Sequence, residues 1–162
     1  MKSLVYRFSQ LLVRVFLRLV FGCRYSYQAE IPQGVPLIVA SNHNSYFDPP
    51  SVGAGVPREI YFMAKRELFE SFWFGSLIRF YNAVPVNRSG MDWKGVGELK
   101  ELLSQGQALI LFPEGTRQPE GRFGQPKFGV GRLAQETGAT IVPAYTRGTA
   151  RLVEAFLRRR PL

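Results

Sequence analysis

Several things are scarce in this sequence. There is one cysteine, Cys23, so no intramolecular disulfide can form. There is one histidine, His43. A lone Cys and a lone His give no zinc cluster of the usual ligand types. No run of 18 apolar residues occurs, which disfavours an ordinary transmembrane helix. Acids are outnumbered by bases, 12 to 21, leaving a net charge of +9 and a pI near 10.1. Such an excess predicts anionic partners: nucleic acid, an anionic membrane or a phosphorylated substrate. No helix-turn-helix, zinc-finger or RNP-like string is present, which argues against nucleic acid. The aromatics Phe69, Phe72, Trp73 and Phe74 form a patch too apolar for base stacking. No repeat or low-complexity linker divides the 162 residues, a length that suits one domain with a full core.

Acids are absent altogether from residues 1–24, which carry Lys2, Arg7, Arg14, Arg18 and Arg24. Leu4, Val5, Phe8, Leu11, Leu12, Val15, Phe16, Leu19 and Val20 recur there at helical spacing, with Arg7, Arg14 and Arg18 between the stripes. The pattern predicts a basic amphipathic helix. A secretory signal would keep an unbroken apolar core, and Arg14 and Arg18 interrupt this one. The reading favoured by the one-sided charge is a helix lying in the headgroup region of an anionic membrane. The competing reading is a terminal helix docked on the protein's own core.

Beyond residue 24, short β-branched runs alternate with helical patterns. Strands are expected at Tyr25–Ala29, Pro36–Ser41, Ile60–Ala64, Ala83–Val86, Gln107–Phe112 and Thr140–Tyr145. Helices are expected at Pro49–Ala54, Leu68–Phe80, Asp92–Gln105, Val130–Thr137 and Thr149–Arg159. The alternation predicts an α/β fold: one domain with a central, mostly parallel sheet flanked by helices. Gly106 and Gly138 stand where two helices should end. Residues 115–129, rich in Gly, Pro, Gln and Arg, form the longest irregular stretch and read as a functional loop.

Polar residues gather where two strands stop. Leu37-Ile38-Val39-Ala40 runs into Ser41-Asn42-His43-Asn44-Ser45-Tyr46-Phe47-Asp48-Pro49. Ligands bind beyond such strand ends in open α/β sheets. Asp48 before Pro49 has the look of a helix N-cap. On a continuous helix, His43 and Asp48 would be rotated by about 140° and would not face each other. They meet only if a turn folds His43 back over the helix start. Asp48 would then hold one ring nitrogen and leave the other to take a proton from a hydroxyl. A second strand, Ala108–Phe112, runs into Pro113-Glu114-Gly115-Thr116-Arg117. There Gly115 lets the backbone approach a ligand, and Arg117 offers a fork for phosphate.

Asn42-His43-x4-Asp48 and Phe112-Pro113-Glu114-Gly115-Thr116-Arg117 resemble the first and third motifs of the glycerolipid acyltransferases, the 1-acylglycerol-3-phosphate acyltransferase family. Val84-Pro85-Val86-Asn87-Arg88 is similar to the second, with Asn87 where the family usually has Asp. Ile141-Val142-Pro143-Ala144-Tyr145 is similar to the fourth. The resemblance spans roughly residues 25–150. It implies direct transfer of a fatty acyl group from acyl-CoA or acyl carrier protein to a lysophospholipid hydroxyl, giving phosphatidic acid in phospholipid biosynthesis. His43 is the implied base and Asp48 its partner. Arg88 and Arg117, with Gly115 and Thr116, are the implied phosphate contacts. Glu114 would orient Arg117 or a glycerol hydroxyl, and Lys65 would assist phosphate or oxyanion. Leu68–Phe80 is a candidate lining for the acyl chain's path, or core. No metal and no cofactor beyond the acyl thioester co-substrate are implied. The expected organisation is a membrane-docking helix, 1–24, and an acyltransferase domain, 25–162, peripheral or monotopic on the cytoplasmic face of the cell membrane. Because the family domain usually adds at least one strand after the fourth motif, 25–162 reads as either a minimal form or one lacking its C-terminal end. A relative acting on another lysolipid, and a non-catalytic basic module, are the alternatives.

Overall fold

A computed structural model describes residues 2–87 and 93–152. Along the chain run α1 (Lys2–Phe21), β1 (Leu37–Ser41), α2 (Asp48–Gly55), β2 (Ile60–Lys65), a 3-10 turn (Arg66–Phe69), α3 (Phe72–Phe80), β3 (Ala83–Val86), α4 (Trp93–Ser104), β4 (Ala108–Leu111), α5 (Gly129–Thr137) and β5 (Thr140–Ala144). Residues 149–152 are helical again; the remainder of the expected last helix lies outside the described residues. The described strands form one sheet in the order β3-β2-β4-β1-β5, and every pairing is parallel. All strand C-termini therefore lie along one edge.

Side chains alternate between the two faces of a strand. Leu37, Val39, Ala108, Ile110 and Ile60 face α2 and pack on Val52 and Val56. On that same face Ala64 and Ala83 meet Phe69 of the 3-10 turn and Ile78 of α3. Ile38, Leu109, Leu111 and Val84 face the other way, onto Leu99 and Leu103 of α4 and Leu133 and Ala134 of α5. The result is three layers, with α2 and α3 on one side and α4 and α5 on the other. Fully buried Leu37, Ile38, Leu109 and Ile110 explain the apolar β1 and β4 runs, since central parallel strands are covered on both faces.

The outer strand β5 is largely exposed. The Thr140 N–H bonds to Pro36 O across to β1. In a parallel strand alternate residues share a side, so the backbone groups of Ile141 and Pro143 face outward.

The expected strand Tyr25–Ala29 does not form; its residues are irregular. Its aromatics are used differently. Tyr25 lies so close over Gly55 that a Cβ there would come within 2.8 Å of the ring. Arg14 sits over the Tyr25 ring at 4.9 Å, and the Tyr27 hydroxyl donates to Gly55 O at 2.5 Å. These contacts tie the segment to α1 and α2 instead of to a ladder.

Helix α1 docks on the protein with one side and leaves its other, apolar side exposed. One side docks on α2: Leu17 packs with Ala54, and Gln10 Nε2 donates to Gly53 O at 2.8 Å. The Tyr6 hydroxyl donates to Ile60 O (3.2 Å) and accepts from Ile60 N (3.3 Å). At about 100° per residue, Leu4, Phe8, Leu11, Leu12, Val15, Phe16 and Leu19 fall on the opposite side, and all are exposed. Arg7, Arg14 and Arg18 run along one flank between the two sides. Gly22, at φ +64°, ends the helix in the left-handed region, with Cys23 N returning to Leu17 O. Among the described residues, no helix is long and apolar enough to cross a membrane.

Candidate active site

His43 and Asp48 meet. Ser45-Tyr46-Phe47-Asp48 turns back on itself, with Asp48 N bonded to Ser45 O. His43 Nδ1 then lies 2.8 Å from Asp48 Oδ2. The expected capping role of Asp48 is not realised: Asp48 is itself the first helical residue, and Phe47 before it makes no side-chain cap. The carboxylate instead reaches back into the turn, where Oδ2 also accepts from Asn44 N (2.6 Å) and Ser45 N (2.7 Å). The one group thus shapes the turn and holds the imidazole.

Asp48 is fully buried. Burial by itself would raise its pKa. The hydrogen bonds from His43, Ser45 N and Asn44 N, together with the nearby Thr149 hydroxyl, outweigh burial and hold the carboxyl below its ordinary value. The Thr149 hydroxyl is buried and has no closer partner of its own, so its contribution rests on proximity to the carboxylate. An ionised Asp48 can only accept, so the neutral imidazole carries its proton on Nδ1. Nε2 is left as the basic nitrogen. The ring lies against Phe112, with centroids 4.1 Å apart and planes at 20°, which fixes its tilt.

Two further ties fix the His43 turn. Asn42 Oδ1 accepts from Thr146 N (2.7 Å) and from Thr146 Oγ1 (3.1 Å), and Asn42 Nδ2 donates to Thr146 O (2.9 Å). The same Thr146 hydroxyl lies 3.5 Å from Asp48 Oδ1. On the other side Gln118 N donates to His43 O (2.7 Å), and Asn44 Nδ2 reaches Gln118 O (3.0 Å). Loop 113–119 is thereby strapped across the turn that carries the base.

The third-motif residues occupy the end of β4, beside β1. Glu114 is buried, and its Oε2 has no hydrogen-bond partner among the described residues. Gly115, Thr116 and Arg117 are exposed. Gly115 adopts φ +69°, which favours glycine, and a Cβ there would lie 2.9 Å from Lys127 Nζ. Thr116 Oγ1 accepts from Gln118 Nε2 at 3.2 Å. The Arg117 guanidinium lies 3.5 Å over the centroid of exposed Tyr46. Lys65 ends β2 on the same edge of the sheet, exposed and one strand removed from β4. Arg88 lies outside the described residues.

Sequence reasoning missed four contributors. Phe112 and Tyr46 flank polar motifs, but nothing in their spacing marks them as stacking partners of His43 and Arg117. Lys127 sits in a loop of mixed composition and reaches Gly115 only through the fold. Thr146 is 104 residues from Asn42 and arrives through the β1–β5 register, Ser41 opposite Ala144. The expectation that Leu68–Phe80 forms core holds only in part. Phe69 and Ile78 are core, while Leu68, Phe72, Trp73, Phe74, Leu77 and Phe80 are exposed, because the amphipathic α3 turns only one side to the sheet.

A fixed His–Asp pair with a free Nε2, beside a glycine turn and two cations at the C-terminal edge of a parallel sheet, defines an α/β protein equipped for general-base chemistry. Residues 23–147 match the family model described as Acyltransferase, and the chain belongs to that family. It is 31% identical over 153 residues to the 1-acyl-sn-glycerol-3-phosphate acyltransferase of Bacillus subtilis, covering 94% of this chain and 76% of that protein. It is 32% identical over 146 residues to the lyso-ornithine lipid O-acyltransferase of Brucella abortus, covering 83% and 54%. The crystal structure of the 1-acyl-sn-glycerophosphate acyltransferase PlsC from Thermotoga maritima superposes with a TM-score of 0.71 at 28% identity. That superposition covers 86% of this chain and 56% of the Thermotoga chain.

Proposed function

We propose that the chain transfers a fatty acyl group from a thioester, acyl-CoA or acyl carrier protein, to the free hydroxyl of 1-acylglycerol-3-phosphate. The observation that carries this is the His43 Nδ1–Asp48 Oδ2 contact of 2.8 Å. It leaves Nε2 to accept the hydroxyl proton as that oxygen attacks the thioester carbonyl. Asp48 stabilises the imidazolium that results. The proton then passes from Nε2 to the departing thiolate, and no acyl-enzyme is required. A positioned base contributes typically 10²–10⁴-fold, and holding both reactants together contributes more. Arg117 over Tyr46 and Lys127 beside the Gly115 turn are the proposed grip for the acceptor phosphate, with Arg88 expected to join them and Lys65 farther along the edge. Buried Glu114 has an open acceptor oxygen suited to a glycerol hydroxyl.

The outward apolar face of α1 and its arginine flank support peripheral attachment to an anionic membrane, the cytoplasmic face of the cell membrane being the proposed place. The names of the Bacillus and Thermotoga relatives support lysophosphatidate as acceptor. The Brucella relative supports a second reading, a different lysolipid, on the same chemistry. The test is the purified protein with labelled acyl-CoA or acyl carrier protein, offered lysophosphatidate, glycerol-3-phosphate and neutral lysolipids in parallel. Acylated lysophosphatidate is expected. Exclusive labelling of another lysolipid favours the second reading, and no labelled product from any acceptor refutes acyl transfer.

A further inference from the structure

We infer that α3 is a second membrane-contacting element, and that with α1 it forms one apolar footprint on the side of the sheet where the catalytic pair sits. The inference rests on the proposed lipid acceptor and names the surface that delivers it.

Helix α3 carries its grease on the wrong side for a soluble helix. Trp73 is 83% exposed, Phe72 76% and Leu77 52%. At about 100° per residue, Phe72, Trp73, Leu77 and Phe80 share one side, opposite Gly75 and buried Ile78. That face is rigidly mounted. A Cβ on Gly75 would come within 2.6 Å of Phe69 O, so the helix backbone rests directly on the 3-10 turn. Ser71 Oγ caps it by accepting from Phe74 N at 3.4 Å. A contiguous exposed patch of this kind marks an interaction site.

Three observations commit the patch to a bilayer. First, it lies near α1, whose outer side is also apolar and exposed: Tyr6, on the docked side of α1, meets Tyr81 at 6.0 Å, and Tyr81 meets Phe80 of α3 at 5.2 Å. Second, both helices lie on the α2 side of the sheet. His43 stacks on Phe112, which packs with the cluster on that same side. Third, the surrounding chemistry suits an interface. Arg79 lies 4.9 Å over the Phe69 ring, Lys65 and Arg66 precede the helix, and Trp is a side chain that settles at headgroup depth. Two separated apolar elements fix a protein's tilt on a surface, where one helix leaves it free to roll about its axis.

The sequence has two tryptophans, Trp73 and Trp93, and Trp93 opens α4 on the opposite side of the sheet. The full chain with Trp93→Phe therefore reports on Trp73 alone. On adding phosphatidylglycerol/phosphatidylcholine vesicles, its emission should shift to the blue and be quenched by lipids brominated near the headgroup. The reciprocal Trp73→Phe chain should show neither change. Serine at Phe72, Trp73 and Leu77 together should weaken vesicle partitioning at least about tenfold, given the usual value of burying such side chains. The variant's circular dichroism and Tm should match the parent's, so that lost partitioning is not unfolding. Vesicle-bound protein with unshifted, unquenched Trp73 overturns the inference. So does a blue shift that grows with protein concentration without vesicles, which would assign the patch to a second copy. Trp73 insertion by a protein that acylates no lysolipid would uphold the footprint and sink the acceptor; acylation with a silent Trp73 would do the reverse.

Discussion

Replacing Asp48 by asparagine tests the centre of the mechanism, and its effects can be sized from the contacts. Oδ2 accepts three N–H groups, from Asn44 at 2.6 Å, Ser45 at 2.7 Å and His43 at 2.8 Å. A hydrogen bond to a charged partner contributes about 1.5–3 kcal/mol and a neutral one about 1, so neutralising the acceptor costs about 1 kcal/mol per bond and about 3 in all. In a chain of this size that lowers Tm by about 6–12 °C. The pH dependence has a definite sign. The folded pKa of Asp48 lies below its ordinary value, so its contribution is complete above the unfolded value, about 3.9, and is lost as pH falls through the lower folded one. Parent and variant should therefore differ most at neutral pH and converge in strong acid. Turnover should drop by roughly 10²–10⁴, because the imidazolium loses its counter-charge or, with the amide turned, Nε2 loses its basic lone pair. Urea unfolding across the pH range, with kcat at neutral pH, measures both. A stability gap that stays undiminished as pH falls into strong acid would refute the assignment of ionised Asp48 as the organising charge.

Three further outcomes follow from the same geometry. His43→Ala should remove at least about 99% of turnover while leaving acceptor binding measured by equilibrium titration nearly intact; a residue retaining more than about a tenth of activity would not be the base. Arg117→Ala and Lys127→Met should each raise the acceptor's KM more than the donor's, and steady-state kinetics with either substrate varied will show it; equal effects would remove phosphate from their role. Aspartate at Phe8 and Phe16 should abolish flotation with anionic vesicles without lowering Tm, since both side chains point away from α2. Deletion of α1 is a poorer test, because it also strips Tyr6 and Leu17 from the domain and uncovers buried Ala54.

The α/β class, the parallel sheet and five of the six expected strands were legible in the sequence because buried parallel strands write themselves as short apolar runs. The failure at Tyr25–Ala29 is instructive. Its alternating aromatics have strand-like spacing, but local pattern does not record that Arg14 and Gly55 offer those rings better partners. The His43–Asp48 pair was legible because the residues are close in sequence and the turn between them is built by the carboxylate itself. Thr146, Phe112 and Lys127 were not, because each reaches the site through tertiary register. For α1 the pattern showed a broad apolar circumference. Only the structure divides it into a docked side around Tyr6 and Leu17 and a free side around Phe8 and Leu11.

Pro143 has a bearing on how the protein keeps company with itself. It lies in the outermost described strand, on the side of β5 turned away from β1, where another molecule's strand could zip on. Proline has no N–H to offer there, so a would-be partner strand loses a rung in the middle of the ladder. The gap falls between Ile141 and Tyr145, both exposed and otherwise inviting to a sticky neighbour. Valine at this position should leave the sheet's internal pairing untouched yet make concentrated samples slower to stay clear.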